Sequence, residues 1–413
     1  MLKLPLNPVH PEVTTTTSGT KLKTMKGVGV LNHSCQGESH KASNKPCQDY
    51  SQAESKGAFA VAIVSDGHGG ARYFRSDKGS ELAVNIAKEA IERFVKEEST
   101  AKVFHSDGLV QYGVNPDASN DDAYRSLSWL VSYVIRQWNI EIVEHAKSND
   151  ITDWERENVE DKYLNEFENC LKSGNGSLEK IYGCTLMAYV MTEDYWFSFQ
   201  IGDGKIVFFN IGEHGMEAKQ LVPWDDQCFL NRTTSICDSD AASEFRFAYC
   251  GNGTFPEAVF LGSDGIDDTY GDGDRLTDFY IRLYKEIATS SPRQVLNTLE
   301  SDLPRISKMG SQDDMSIACV FWKYPERRRY NALLMSQLQL ARLHLEFEEL
   351  ENKKAGLREK IERLKDSREL SESQSIELTY AQNDLGRVEE ALEKNERNVE
   401  TIQTFDKKLN KRH

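Results

Sequence analysis

Short apolar runs separated by Gly, Asp and Asn dominate the chain up to about residue 325. GVGVLN (27–32), AFAVAIVS (58–65), TLMAYVM (185–191), YWFSFQI (195–201), KIVFFNI (205–211), AVFLG (258–262) and MSIACVFW (315–322) are rich in β-branched and aromatic residues. They are bounded by turn formers, so they predict strands. Tight links such as I-G-D-G-K predict antiparallel neighbours. Amphipathic stretches at 77–98, 121–147, 155–172, 275–289 and 292–302 predict helices between them. The polar stretch 148–180 reads as an insertion. The pattern is that of a mixed α/β body.

Beyond Arg329 the pattern changes. Leu343, Phe347, Leu350, Lys354, Leu357, Ile361 and Leu364 step by alternating four and three residues, a heptad seam with one polar member. A second seam runs Leu378, Ala381, Leu385, Val388, Leu392, Asn395, Val399, Ile402. The phase breaks in DSRELSESQS, which predicts two helices folded back on each other with a turn in 366–376. One long helix in a dimeric coiled coil is the alternative.

Composition sharpens that boundary. The chain has 413 residues, room for two or three domains, and a net charge of −16. The segment 326–413 carries 18 acidic and 18 basic residues, so the whole excess lies before it. All 10 Pro, 6 Trp and 8 Cys also occur at or before Pro325. The domains expected are an N-terminal extension 1–25 of flexible character, a body over 26–325 and a helical interaction module over 330–410. Strong negative charge argues against a nucleic-acid partner, which calls for clustered Lys and Arg. No apolar run approaches the ~18 residues of a membrane span, and the first residues lack a secretory h-region. Unpaired cysteine spacing fits reduced thiols, and the expected location is cytoplasmic.

Acidic residues at strand ends carry the candidate chemistry. Asp66 opens D-G-H-G-G after one apolar run, Asp203 sits in I-G-D-G-K, and Asp264 opens D-G-I-D-D. Asp313 and Asp314 precede the last run. Any one of these is ordinary turn chemistry, since Asp-Gly favours turns. Gathered in one place, unpaired carboxylates need a compensating cation. All-oxygen donors favour hard Mg²⁺ or Mn²⁺. Two such ions sharing a carboxylate would activate a bridging water for in-line attack on a phosphate ester. His68, two residues past Asp66, has the near-neutral pKa suited to protonate the leaving alkoxide.

Five motifs in order, V-S-D-G-H-G-G (64–70), G-C-T-L-M-A (183–188), I-G-D-G-K (201–205), L-G-S-D-G-I-D-D (261–268) and G-S-Q-D-D-M-S (310–316), resemble the metal-dependent protein phosphatases of the protein phosphatase 2C type. P-C-Q-D-Y (46–50) is similar to that family's early acidic motif, and the resemblance covers about 26–323. It implies an α-β-β-α sandwich of two mainly antiparallel sheets flanked by helices, with a two-metal centre at one end. By the same resemblance Asp66 would bridge both metals, the Gly67 carbonyl would bind one, and Asp264 and Asp313 would complete the other shell. Asp49 would act through water, His68 as general acid, and Asp203 and Asp268 would serve a third, weaker ion. Thr185 matches a small polar residue near the centre.

This chain departs from the family pattern at several positions. Asn44 stands where the family has a phosphate-gripping Arg, with Lys45, Lys41 or His40 as substitutes, and Gln48 replaces the first acid of the pair. Gly204-Lys205 replaces Ser-Arg, and Asp314 replaces Asn. The activity implied is hydrolysis of phosphoserine and phosphothreonine in a phosphorylated protein, with the C-terminal helices engaging a partner or self-associating. The alternative is an inactive phosphatase-fold scaffold signalling through those helices. A metal-dependent nuclease shares the carboxylates but has the wrong surface charge.

Overall fold

The structure is a computed structural model, described over residues 25–118, 120–173, 176–228, 232–271, 273–366 and 371–410. Nearly all of the extension 1–25 and part of the expected turn at 366–376 lie outside the described residues. The described residues form eleven strands: β1 (Val28–Cys35), β2 (Tyr50–Lys56), β3 (Phe59–Ser65), β4 (Val110–Tyr112), β5 (Leu186–Thr192), β6 (Trp196–Ile201), β7 (Lys205–Gly212), β8 (Gly215–Gln220), β9 (Arg246–Cys250), β10 (Ala258–Gly262) and β11 (Met315–Trp322). They form two sheets, ordered β1-β11-β10-β7-β8 and β2-β3-β5-β6-β9-β4. The registered pairs are antiparallel.

The sheets face each other, and helices cover their outer faces. Helices Ser76–Lys96 and Asp122–Ser148 lie over the second sheet, and Asp264–Tyr270 and Pro292–Met309 over the first. Burial on both faces explains why the central strands read as unbroken apolar runs. In β3, Phe59, Val61 and Ile63 pack into the helical layer, while Ala60, Ala62 and Val64 face the other sheet. In β5, Leu186, Ala188 and Val190 do the first, Met187, Tyr189 and Met191 the second. The fully buried Trp138 ties the two covering helices together, its indole N–H donating to the Gly79 carbonyl at 2.9 Å.

Four strands and two helices depart from the local sequence pattern. β2 (YSQAESK) is an edge strand with polar positions, β4 is three residues long, and β8 is half polar. β9 begins on Arg246, a buried arginine. The helix expected over 155–172 is two, Asp153–Asn158 and Asp161–Ser173. The one expected over 292–302 continues through Pro304 to Met309.

Residues 212–217, 284–289 and those from 325 on form a second compact unit. Its helices Pro325–Lys365 and Glu372–Asn410 pack side by side in opposite directions. Cross-helix partners run in reverse order: Ser336 with Asp406 (2.6 Å), the Leu343 carbonyl with Asn395 (2.9 Å), Arg358 with Glu389 (2.9 Å) and Lys360 with Glu377 (2.7 Å). Ile361, Ala381, Val388, Leu392 and Ile402 fill the seam. Buried Asn395 also donates to Glu346 at 3.1 Å, so one polar pair fixes the register. In the same unit Asn331 donates to the Tyr284 hydroxyl (3.1 Å), and Lys285 to Gln339 (2.7 Å).

Candidate metal centre

Strand register brings the acidic residues to one end of the sandwich. Tyr50 pairs with Ser65, so Asp49 before β2 and Asp66 after β3 lie side by side. Gly262 pairs with both Ile317 and Lys205, which sets Asp264, Asp313 and Asp203 at a common edge. The close approach of these loops needs glycine. A Cβ on Gly67 would lie 2.6 Å from the Gln48 carbonyl oxygen and 2.7 Å from that of Ser76.

Each carboxylate has its own support. Asp66 is held through its backbone, which donates to Thr185 Oγ1 (3.0 Å) and accepts from the Thr185 N–H (2.8 Å). Buried Asp49 accepts from Ser263 Oγ at 2.7 Å. Asp66 and Asp264 lie within hydrogen-bonding reach of each other. Asp313 is exposed, its Oδ1 accepting from the Asp314 N–H at 2.8 Å. Asp203 is half-buried and senses Arg246 and Asp267. Asp268 senses Asp267 and Asp203, and Lys205 pairs with Asp267 at 2.5 Å.

Among the described residues, His40, Asp313 and Asp314 bring ligand atoms within 4.8 Å of one another. Asp314, however, has a structural task. Its Oδ1 and Oδ2 accept from the N–H groups of Gly37 (2.6 Å) and Gln48 (2.5 Å), and His40 Nδ1 lies 2.9 Å from Oδ2. It therefore ties the Asp49 loop to the start of β11. With His40 committed there and Lys41 exposed, Lys45 reaches the Asp66–Gly70 loop, donating to the Gly69 carbonyl at 3.2 Å.

His68, two residues past Asp66, is half-buried, with its ring edge-on to Tyr73 at 4.8 Å and within the fields of Asp238 and Lys180. Its N–H donates to the Gly183 carbonyl (3.1 Å), and its own carbonyl accepts from Ser76 Oγ (3.0 Å). Sequence reading passed over Ser263, Asp267 and Arg246. Fully buried Arg246 donates to the Gly202 carbonyl next to Asp203 and to the Pro223 carbonyl at 2.9 Å. A buried arginine opening an apolar strand was the available signal.

Loss of water and mutual repulsion raise these acids. Asp49 and Asp66 are pushed well above the usual carboxylate range, by burial first and then by Asp314 and Asp264 respectively. Asp264 is pushed up to about 7 by burial, with Asp203 and Asp313 adding to it. Burial lowers His68 to about 4 against the opposing charge of Asp238. Such a donor set fits hard divalent ions, which would restore the charged carboxylates.

The metal-free protein should therefore lose stability as pH rises through neutrality. A carboxyl raised in the fold stabilises below its unfolded pKa and loses that contribution as pH climbs through its folded value. His68, depressed in the fold, works oppositely, but only between about 4 and its ordinary 6.5. From about pH 6.5 to 8 the acids act alone, and the loss is on the order of 1 kcal/mol per group. Thermal melts in chelator should fall across that window, and Mn²⁺ should remove the slope. A rising melt in chelator would contradict the clustering.

The family model described as Protein phosphatase 2C matches residues 36–300. Among curated proteins no match is found. Solved structures similar to this chain include the Mycobacterium tuberculosis serine/threonine phosphatase PstP/Ppp, at 12% identity over 72% of this chain and 99% of that one, TM-score 0.40. The S. agalactiae serine/threonine phosphatase is similar at 14% identity over 71% and 99%, TM-score 0.37. A C. elegans sex determining protein is similar at 15% identity over 75% and 68%, TM-score 0.42.

Proposed function

Because the chain belongs to the protein phosphatase 2C family, we propose that this protein-serine/threonine phosphatase works through a two-ion centre held by Asp66, the Gly67 carbonyl, Asp264 and Asp313. Asp49 would act through water, with Asp203 and Asp268 toward a weaker third ion. The ions would be Mg²⁺ or Mn²⁺, given all-oxygen donors. Bound there, they would supply an acidified water and would offset the charge that builds on the phosphoryl oxygens. The substrate is the phosphoserine or phosphothreonine of a phosphorylated protein.

The chain's own residues do the rest. Thr185 holds the Asp66 backbone from both sides, and Ser263 orients Asp49. His68 holds the proton for the departing serine or threonine oxygen. A phosphate dianion docked beside it opposes the effect of burial and favours its charged form. The observation that carries this reading is the pair Asp66 and Asp264, two acids within hydrogen-bonding reach of each other and both raised chiefly by burial. No helix of the described residues is long and apolar enough to cross a membrane.

Hydrolysis of p-nitrophenyl phosphate and of a phosphothreonine peptide, with Mn²⁺ and with chelator, tests the proposal. Turnover of both only with the metal is expected. Absence of turnover of either, with Mn²⁺ leaving the melting temperature unchanged, would favour the scaffold alternative instead.

A further inference from the structure

The segment that the sequence marks as an insertion is clamped onto the loop carrying Asp66 and His68. Arg75, at the start of the helix Ser76–Lys96, is 4% exposed. Its guanidinium forms a fork on Glu155, Nε to Oε1 at 2.6 Å and a terminal nitrogen to Oε2 at 3.1 Å. Its other donors reach the carbonyls of Asn149 and Asp150, both at 3.0 Å, and the Tyr182 hydroxyl at 3.2 Å. The Phe167 ring lies 4.3 Å from the guanidinium carbon. Glu155 is buried too and is fixed from its other side by a reciprocal capping box with Thr152.

Two of the residues joined here, Arg75 and Tyr182, are chain neighbours of groups that hold His68. Ser76, next to Arg75, donates to the His68 carbonyl, and Gln48 Nε2 reaches Ser76 Oγ (2.5 Å) and that same carbonyl (3.3 Å). Gly183, next to Tyr182, accepts the His68 N–H. The Arg75 N–H donates to the Ile181 carbonyl at 3.1 Å. Both backbone polar groups of His68 are thus held by neighbours of the clamped residues. Stability alone does not account for a buried ion pair here, since well-packed apolar residues of similar volume hold elements together as well or better. A two-point fork does fix orientation, which apolar contacts do loosely.

We propose that the Arg75–Glu155 pair positions His68 to protonate the leaving group, so that residues 149–155 and 181–183 are part of the active-site support. This rests on the general-acid reading of His68 given above. Its consequence is selective. Misplacing a general acid harms substrates whose leaving oxygen needs a proton and spares those whose leaving group departs as a stable anion.

The test compares phenyl phosphate with p-nitrophenyl phosphate in Mn²⁺ for the full chain, Glu155→Gln, Arg75→Lys and His68→Asn. Glu155→Gln should lower kcat on phenyl phosphate by about tenfold and on p-nitrophenyl phosphate by less than about twofold. The Mn²⁺-induced rise in melting temperature should be unchanged. Arg75→Lys, which keeps the charge and loses the fork, should show the same selectivity, and His68→Asn a larger one. Equal losses on both substrates in Glu155→Gln, or none on either, would overturn the positioning role while leaving His68 intact. Absence of selective loss in His68→Asn would instead remove the general-acid reading, and this inference with it.

Discussion

Asp264→Asn is expected to abolish Mn²⁺-dependent hydrolysis of p-nitrophenyl phosphate while raising the melting temperature of the chelated protein. The two effects share one cause. Asp264 is raised by burial and by the fields of Asp203 and Asp313, which is why its proton is held up to about 7 although its hydrogen bond with Asp66 works the other way. An amide of the same shape removes one of the repelling charges, so the empty fold becomes more stable. It also removes a ligand that would draw the ions in. Losing about 4 kcal/mol of charge stabilisation in the transition state corresponds to roughly a thousandfold in kcat/KM. Melts with and without Mn²⁺, run beside the rate assay, separate this outcome from simple unfolding. A variant both inactive and less stable without metal would show that Asp264 serves the fold and not the ions. A residue that costs stability until its cation arrives is what a functional site built against the fold's preference looks like.

The second large effect concerns a glycine. A Cβ on Gly265 would lie 2.0 Å from the Asp314 carbonyl oxygen, which is backbone and cannot swing aside. Gly265→Ala must therefore push the helix Asp264–Tyr270 away from the loop that starts β11. Overpacking of this kind costs about 3 kcal/mol, and here it also separates Asp264 from Asp313. Urea unfolding should show the loss, and Mn²⁺ should restore little of it. Gly356→Ala makes the matched control. That glycine lies inside the helix Pro325–Lys365 with nothing within 4 Å of an added Cβ. The substitution there should stabilise by about 0.5–1 kcal/mol through helix propensity. Equal effects at the two positions would refute the packing argument.

What could be read from the sequence follows a physical rule. Strands buried on both faces, such as β3, β5 and β11, announce themselves as apolar runs. β2 and β8 carry polar positions and were passed over, though β2 begins directly after Asp49. The acidic motifs were legible because each joins an apolar run to a Gly-rich turn. The difference between Asp313 and Asp314 was not. Both are aspartates before the same strand, and only the approach of the Gly37 and Gln48 amides, more than 260 positions away, makes Asp314 a strut. Arg75 and Glu155 stand 80 residues apart, with nothing in either neighbourhood to say that they meet. Local pattern reveals which backbone is buried, but pairings made by tertiary approach leave no local mark.

The pairing of β1 with β11 also bears on how the protein is made. Val28 finds Trp322, and Cys35 finds Met315, so the first strand waits for almost the whole body to be synthesised before it has a strand to pair with. Asp49 is secured through Asp314 and the Gln48 amide by that same late arrival. A nascent chain halted before this point holds Asp66 without Asp313 and lacks the strand that joins β1 to β10. Contacts so distant in sequence close slowly. An unfinished chain therefore lacks both Asp313 and the strut that Asp314 gives the Asp49 loop, so the proposed centre closes only when the last strand is made.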